Sequence, residues 1–234
     1  MRCKSTPDWC LRAEARFSNA ESLLTYDNSN DGGVVGLIHE FTGRRVVIAG
    51  ACQTPGPICA QRLAKARARV VALDQNAAGL SDVVAGSSAR IESLMLGADV
   101  PAALRRIGQS WAKTPLHGVL NLLPLAHPRE IDAQITRLTA LTRAFAQGLE
   151  AGEGALVTLA THPTDPFDLR AAAMGPALGA AHQALAKVLA LRGVQINLVI
   201  APQDDPERGL AAALSLLCRE AKDLTGQIIH IAAK

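Results

Sequence analysis

The sequence predicts an α/β domain: a doubly wound parallel sheet of about seven strands with helices on both faces. Three observations carry this expectation. From Arg44 onward short β-branched runs alternate with helical patterns; the first run ends in a glycine-containing turn, and the second ends in an acid. Seven such runs, read as short buried strands between helices, suit a sheet covered on both faces. The length of 234 residues, 49% hydrophobic and 19% charged, suits one such domain with a sizeable core.

The strands are read in order. Arg45 to Ala49 (RVVIA) stops at Gly50, and Val70 to Leu73 (VVAL) stops at Asp74. Ile91 to Leu96 and Gly118 to Leu123 (GVLNLL) follow, then Ala155 to Ala160 (ALVTLA), Val194 to Ile200 (VQINLVI) and Gln227 to Ile231 (QIIHI). The clearest helix runs from Pro128 to Glu150, where Ile131, Ile135, Leu138, Thr142, Phe145 and Leu149 recur at helical spacing. No internal repeat or low-complexity tract interrupts the pattern, so residues 43–234 are taken as a single domain.

Residues 1–42 are read as an N-terminal extension. Trp9, Ala13, Phe17, Ala20 and Leu24 form an apolar stripe at helical spacing, followed by the turn-rich Asp27-Asn28-Ser29-Asn30-Asp31-Gly32-Gly33, a flexible linker by composition. Such a helix docks a partner or sister subunit, packs on its own domain, or belongs to an extension from an early start codon; the sequence leaves these open.

Composition excludes several classes. Twenty-four Lys and Arg against 21 Asp and Glu give a formal charge of +3, too mild to make nucleic acid or a membrane surface the main partner. No stretch approaches the roughly 20 apolar residues of a spanning helix, and no leader pattern marks secretion, so the expected location is cytoplasmic. Five cysteines without a CxxC pair read as free thiols in a reducing compartment. His39, His117, His127, His182 and His230 show no metal-ligand spacing.

The turn after the first strand reads Ala49-Gly50-Ala51-Cys52-Gln53-Thr54-Pro55-Gly56-Pro57 and leads into a helix with Ala60, Leu63 and Ala64. In a Rossmann-like fold, glycines here let the backbone approach a pyrophosphate that sits on the helix N-terminus. Asp74, closing the second strand, is placed to accept hydrogen bonds from adenosine ribose hydroxyls and to repel a 2′-phosphate, which favours NAD over NADP.

With these residues in view, Gly43 to Lys234 resembles a short-chain dehydrogenase/reductase. Ala49, Gly50, Thr54 and Gly56 match its TGxxxGxG turn with two of three glycines kept, and Ala66 to Asp74 resembles the segment leading to its ribose-binding acid. Asp99-Val100 is similar to the pair whose carboxylate lies beside the adenine, and Asn121 to the start of the family's NNAG. Arg192 to Asn197 resembles the run entering the sixth strand, and Thr225-Gly226-Gln227 the C-terminal TGQ strand. The resemblance implies a nicotinamide dinucleotide held through Gly50, Thr54, Gly56, Asp74, Asp99 and Asn121.

It also implies a chemistry that this chain lacks. The family uses a YxxxK tyrosine as general acid/base, its pKa of about 10 drawn down by a cation. Counted back from Arg192-Gly193, the tyrosine position falls near Ala171 and the lysine near Gly175. The chain's single tyrosine, Tyr26, precedes the first strand, and of its lysines only Lys187 is on the relevant helix, about three turns too late. Pro176 suggests that this helix starts or kinks there. NNAG becomes Asn121-Leu122-Leu123-Pro124, Pro-Gly after the sixth strand becomes Pro202-Gln203, the relay asparagine falls at Gln134, and the serine falls at Thr161-His162 or thereabouts.

Thr161 and His162 are the remaining catalytic candidates; an imidazole of ordinary pKa near 6.5 suits a base, while a histidine in a proline-rich loop is as readily just solvated. Cys52, at a helix start that lowers a thiol pKa, reads either as a redox group or as a small buried residue. Gly175, Gly179, Ala180, Ala181 and Ala184 give the helix after the fifth strand a small-residue surface, for close packing on its own sheet or on a partner. In the resemblance this helix, about 176–191, and its predecessor, about 128–150, form the subunit interface, implying a homo- or hetero-oligomer.

The expectation is thus a catalytically impaired member of this fold, a pseudoenzyme serving as a structural or regulatory subunit with a degenerate NAD site. Two others stand beside it: an active NAD-dependent oxidoreductase of carbonyls or alcohols, 3-oxoacyl-reductase-like, with a non-standard acid/base, and an NAD-responsive sensor working through Asp74.

Overall fold

The computed structural model describes residues 40–232 apart from Gly86, Ser88, Arg219, Glu220 and Lys222. The stripe from Trp9 to Leu24, the linker at Asp27 and Tyr26 lie outside the described residues.

Among these, seven parallel strands form one sheet in the order β3-β2-β1-β4-β5-β6-β7. The elements run β1 (Arg45–Ala49), α1 (Gly56–Lys65), β2 (Arg69–Asp74), α2 (Ala77–Ala85), β3 (Ile91–Met95), α3 (Val100–Trp111), β4 (Gly118–Asn121) and α4 (Leu123–Ala126). Then follow α5 (Ile131–Gly152), β5 (Ala155–His162), α6 (Leu169–Leu189), a 3-10 turn (Ala190–Arg192), β6 (Gln195–Pro202), α7 (Arg208–Leu216) and β7 (Ile228–His230). The order reverses between β1 and β4, which opens a crevice beyond their carboxyl ends, where such sheets place ligands.

The central runs form strands because both faces are covered, while the edge strands β3 and β7, expected to be buried, are largely exposed or half-buried. Val46 and Ile48 face one core with Cys59, Leu63, Leu80 and Leu210, while Val47 and Ala49 face the other with Leu104, Leu141, Phe145 and Leu178. Phe145 also meets Trp111 with ring centroids 6.4 Å apart, tying α5 to α3. The sequence-read stripe of α5 is its inner face: Leu138, Thr142, Phe145 and Leu149 are all buried.

Several predicted boundaries shift: the fifth strand runs on to His162, which is therefore not in the proline-rich loop, and the sixth runs on to Pro202. The fourth strand ends at Asn121, not Leu123, because Leu122 caps the short α4 and Pro124 occupies its first turn, where a missing N–H costs nothing. Helix α6 begins at Leu169, capped by Asp168 accepting from Ala171 N at 3.2 Å, so Pro176 lies inside the helix rather than at its start. The TGQ segment has a structural role. Thr225 Oγ1 accepts from Ile196 N at 3.1 Å, while Asn197 donates to Leu224 O at 2.9 Å and accepts from Gln227 N at 3.0 Å, which registers β7 on β6.

Candidate functional site

The glycine turn is tightly built. Gly50 has φ +83°, and a Cβ there would stand 2.9 Å from the Leu122 carbonyl carbon; at Gly56 it would stand 2.3 Å from Ala51 O. The turn's N–H groups are largely consumed within the protein. Gly50 and Ala51 both donate to Leu73 O at 2.8 and 3.1 Å, Gln53 to Gly50 O at 3.0 Å, Gly56 to Gln53 O, and Cys59 to Pro55 O at 3.0 Å. Cys52 N donates to Asp74 Oδ2 at 2.9 Å. Pro55 and Pro57 have no N–H to give. Among the described residues of the turn, Thr54 and Ile58 are left as the amides open to an anion, a thin remnant of the cradle a pyrophosphate needs.

Asp74 closes β2 with 6% of its surface exposed. Its Oδ1 accepts from Asn76 N at 3.0 Å and its Oδ2 from Cys52 N. A carboxylate has about four lone-pair sites, so one position on each oxygen stays open. The partial burial of Cys52 itself, with the neighbouring Asp74 charge, pushes its thiol up to about 12. The expectation that the helix start lowers this thiol is therefore overturned: Cys52 sits against a carboxylate that already holds its amide, not against a cation. Cys59, fully enclosed, is likewise pushed to about 12 by burial.

Asp74 and Gly50 line a groove of about 290 Å³ in the crevice. Gln53 joins them from the turn, Gln75 and Asn76 follow β2, and Leu123 and Ala126 of α4 form an apolar wall. His127 and Arg137 complete it; both stand by Glu130, whose carboxylate is 3.6 Å from His127 Nδ1 and 3.7 Å from an Arg137 guanidinium nitrogen. Of the other residues implicated by resemblance, exposed Thr54 and buried Gly56 shape the turn without lining the groove. Asp99 lies outside it too, as the cap of α3, accepting from Ala102 N at 3.0 Å.

Asn121 is wholly buried at the end of β4, where Nδ2 donates to Thr158 Oγ1 at 3.2 Å and Oδ1 accepts from Leu123 N at 3.2 Å. Thr158 also meets His182 Nε2 at 2.7 Å, and His182 Nδ1 meets Leu178 O at 2.7 Å. Burial pushes His182 down to about 4, so the ring is neutral. Nδ1–H then donates to Leu178, and Nε2 accepts the threonine proton, which leaves Oγ1 free to accept from Asn121. Gln134, buried at the start of α5, donates to Leu123 O at 3.2 Å, while its Oε1 has no protein partner among the described residues.

The reaction positions of the resemblance lie along β5 and α6. Thr161, buried, pairs with Ala201 and half-buried His162 with Pro202 at the last rungs of β5 and β6. The His162 ring has one marginal contact, Nδ1 to Pro163 O at 3.5 Å, and neither residue lines the groove. Ala171 is buried in the first turn of α6. Gly175 is buried as well, and a Cβ there would come to 3.0 Å from Ile200 Cδ1. No ionisable group stands at either place. Sequence reasoning missed His182 and Arg137; the signal for His182 was its spacing of four from Leu178 on an otherwise apolar inner face, and for Arg137 its position one helical turn after Gln134.

No family model matches the chain, and no curated protein matches it. Solved structures do. The citronellol catabolism dehydrogenase AtuB of Pseudomonas aeruginosa PAO1 superimposes with a TM-score of 0.68 at 17% identity, over 82% of this chain and 94% of that one. The Pseudomonas aeruginosa RhlG/NADP active-site complex gives 0.68 at 17%, covering 83% and 96%. An oxidoreductase of the short-chain dehydrogenase/reductase family from Burkholderia thailandensis gives 0.66 at 20%, covering 81% and 91%. The fold of this chain is that of the short-chain dehydrogenases/reductases.

Proposed function

We propose that this chain is a catalytically impaired protein of the short-chain-dehydrogenase fold, acting as a structural or regulatory subunit and keeping a degenerate nicotinamide-dinucleotide site. The observation that carries the reading is the pair Ala171 and Gly175: both are buried, neither ionises, and a Cβ at Gly175 would already stand 3.0 Å from Ile200 Cδ1. Carbonyl reduction needs a hydride, which a bound dinucleotide supplies, and a proton, which the protein must supply. Here the buried His182 is neutral and donates its one proton to a backbone carbonyl. His162, the other candidate, has among the described residues no partner that would orient it beyond a 3.5 Å approach to its neighbour's carbonyl. The residues present fit the adenosine half of the dinucleotide at Asp74, whose carboxylate favours NAD over NADP. They fit the pyrophosphate poorly, since prolines replace donors in the glycine turn, and the nicotinamide side lacks the ionisable pair at Ala171 and Gly175.

The subunit role rests on α6. Its glycines face inward, with Gly179 against Ile228 and Gly175 against Ile200, so the small-residue surface is partly spent on the sheet. Its outer face nonetheless exposes Leu169, Ala172, Pro176, Ala180, Val188 and, just beyond the helix, Leu191, which form an apolar stripe along its length. The outward residues of α5, such as Asp132, Arg143 and Gln147, are polar, so α6 supplies the contact. The partner is a second copy or a catalytically competent relative of the same fold. Sedimentation of the full chain tests this: an oligomer is expected, with Ala180→Glu reducing it to a monomer at unchanged helicity. A lone monomer in both forms contradicts the assembly.

A further inference from the structure

We infer that the preferred partner of α6 is a different chain rather than a second copy, and that its facing helix is apolar at the centre with carboxylates towards both ends. The inference rests on the reading above that α6 is the assembly face, and it names the kind of partner.

The exposed face of α6 is apolar and carries charge of one sign. Leu169 is 73% exposed, Val188 64% and Leu191 89%, with Ala173, Pro176, Ala180 and Ala184 open to solvent between them. From Leu169 to Leu191 the chain has no Asp or Glu, and its charged residues are Arg170 and Lys187. Both are exposed, and neither forms an ion pair or side-chain hydrogen bond among the described residues. Lys187 follows Ala180 by two helical turns on the same line, and Arg170 precedes Ala173 by nearly one, so both cations border the apolar face.

The acids beside the ends of the helix are spent within the chain. Asp168 caps α6 and takes Arg129 at 2.7 Å, while Glu150 holds Arg192. Lys187, in the last turn, suits the helix dipole; Arg170, in the first turn, meets its positive end, a cost that nothing on α6 offsets.

Two copies cannot answer these charges with α6 itself. Antiparallel on the middle of the stripe, Arg170 of one copy faces the Lys187 end of the other; parallel, each cation faces its own counterpart. Like charges therefore meet at both ends of the isologous contact. The apolar centre still lets copies pair, but a helix with carboxylates at those places replaces two repulsions with two attractions. Its acids must lie about 25 Å apart, the rise of α6 between Arg170 and Lys187.

The test is sedimentation of the labelled full chain with a charge-reversed copy, Arg170→Glu with Lys187→Glu, serving as the acid-bearing probe. Each is also measured alone, at about 50 mM and about 500 mM salt, since surface charges are screened at the higher value. The mixed pair is expected about ten-fold tighter than the wild type with itself, with most of that gain lost at high salt. The wild type alone should instead tighten as salt rises, and Arg170→Gln with Lys187→Gln should pair with itself a few-fold more tightly than the wild type does. Ala180→Glu in both chains should abolish the mixed pair. A mixed pair no tighter than the wild type with itself, together with no gain in the glutamine variant, overturns the inference but leaves assembly through α6 standing. A mixed pair untouched by Ala180→Glu overturns the placing of the contact on α6. No association in any combination overturns the inference and the assembly together.

Discussion

His182 Nε2 lies 2.7 Å from Thr158 Oγ1, and Asn121 reaches the same oxygen, so one buried chain of hydrogen bonds ties β4 to β5 and to the middle of α6. The imidazole is enclosed in the core, and its one proton is held by a backbone carbonyl. Its folded pKa of about 4 lies below the ordinary 6.5, so between these values the unfolded chain binds a proton that the folded one refuses. Stability is therefore complete above pH 6.5 and falls as pH drops towards 4, by at most about 3 kcal/mol from this residue. Urea unfolding of the wild type and His182→Leu at several pH values checks it: the difference between the two should shrink as the pH falls.

Thr158→Val tests the same chain from its other end. The substitution keeps the shape but leaves His182 Nε2 and Asn121 Nδ2 without their partner, which should cost about 1–3 kcal/mol in urea unfolding at pH 7.5. A change within about 0.5 kcal/mol would mean that the two groups find other partners.

The glycine turn should tolerate no side chain. At Gly56 a Cβ meets backbone, not a movable side-chain end, and at Gly50 the positive φ adds strain to the contact with Leu122. Gly56→Ala and Gly50→Ala should each destabilise by about 2–4 kcal/mol, measured as a lowered urea midpoint at constant slope.

The two thiols of the α1 region should be inert in the folded state. With Cys52 and Cys59 both raised to about 12, alkylation at pH 8 and peptide mapping should leave them unlabelled. Asp74→Asn removes a charge that holds the Cys52 thiol neutral, so Cys52 should become the more reactive of the two, while Cys59, enclosed by the core, should not change.

Much of this was legible in the sequence because it rests on local pattern. Val46 to Ala49 is apolar on both faces and Ile196 to Ile200 apolar but for Asn197, which reads as covered strands; the stripe from Leu138 to Leu149 reads as the inner face of a helix. The boundaries that moved depend on capping. Asp168 starts α6 and carries the helix past Pro176, and no periodicity of apolar residues reports that. At the site, Gly50 and Asp74 could be read from their places at strand ends, but Arg137 and His127 reach the groove from chain positions more than fifty residues downstream. The use of the turn's amides by Leu73, Asp74 and Gly50 was equally hidden, since it depends on how close β2 lies to the turn.

Rebuilding the missing pair should not rebuild the enzyme. Ala171→Tyr with Gly175→Lys places two large polar side chains at buried positions, one of them 3.0 Å from Ile200 before any stem is added. The double variant should unfold at a lower temperature and show no gain in turnover.

The central claim, that the chain holds the fold without the proton donor, is tested most directly by single-turnover mixing of excess protein with NADH or NADPH and a panel of ketones, aldehydes and 3-oxoacyl thioesters, following absorbance of the reduced nicotinamide. The account predicts no protein-dependent oxidation of either cofactor with any substrate, and the same trace for wild type and His162→Ala. Oxidation that the wild type supports and His162→Ala abolishes would contradict it, and would make His162 the acid that Ala171 and Gly175 cannot be.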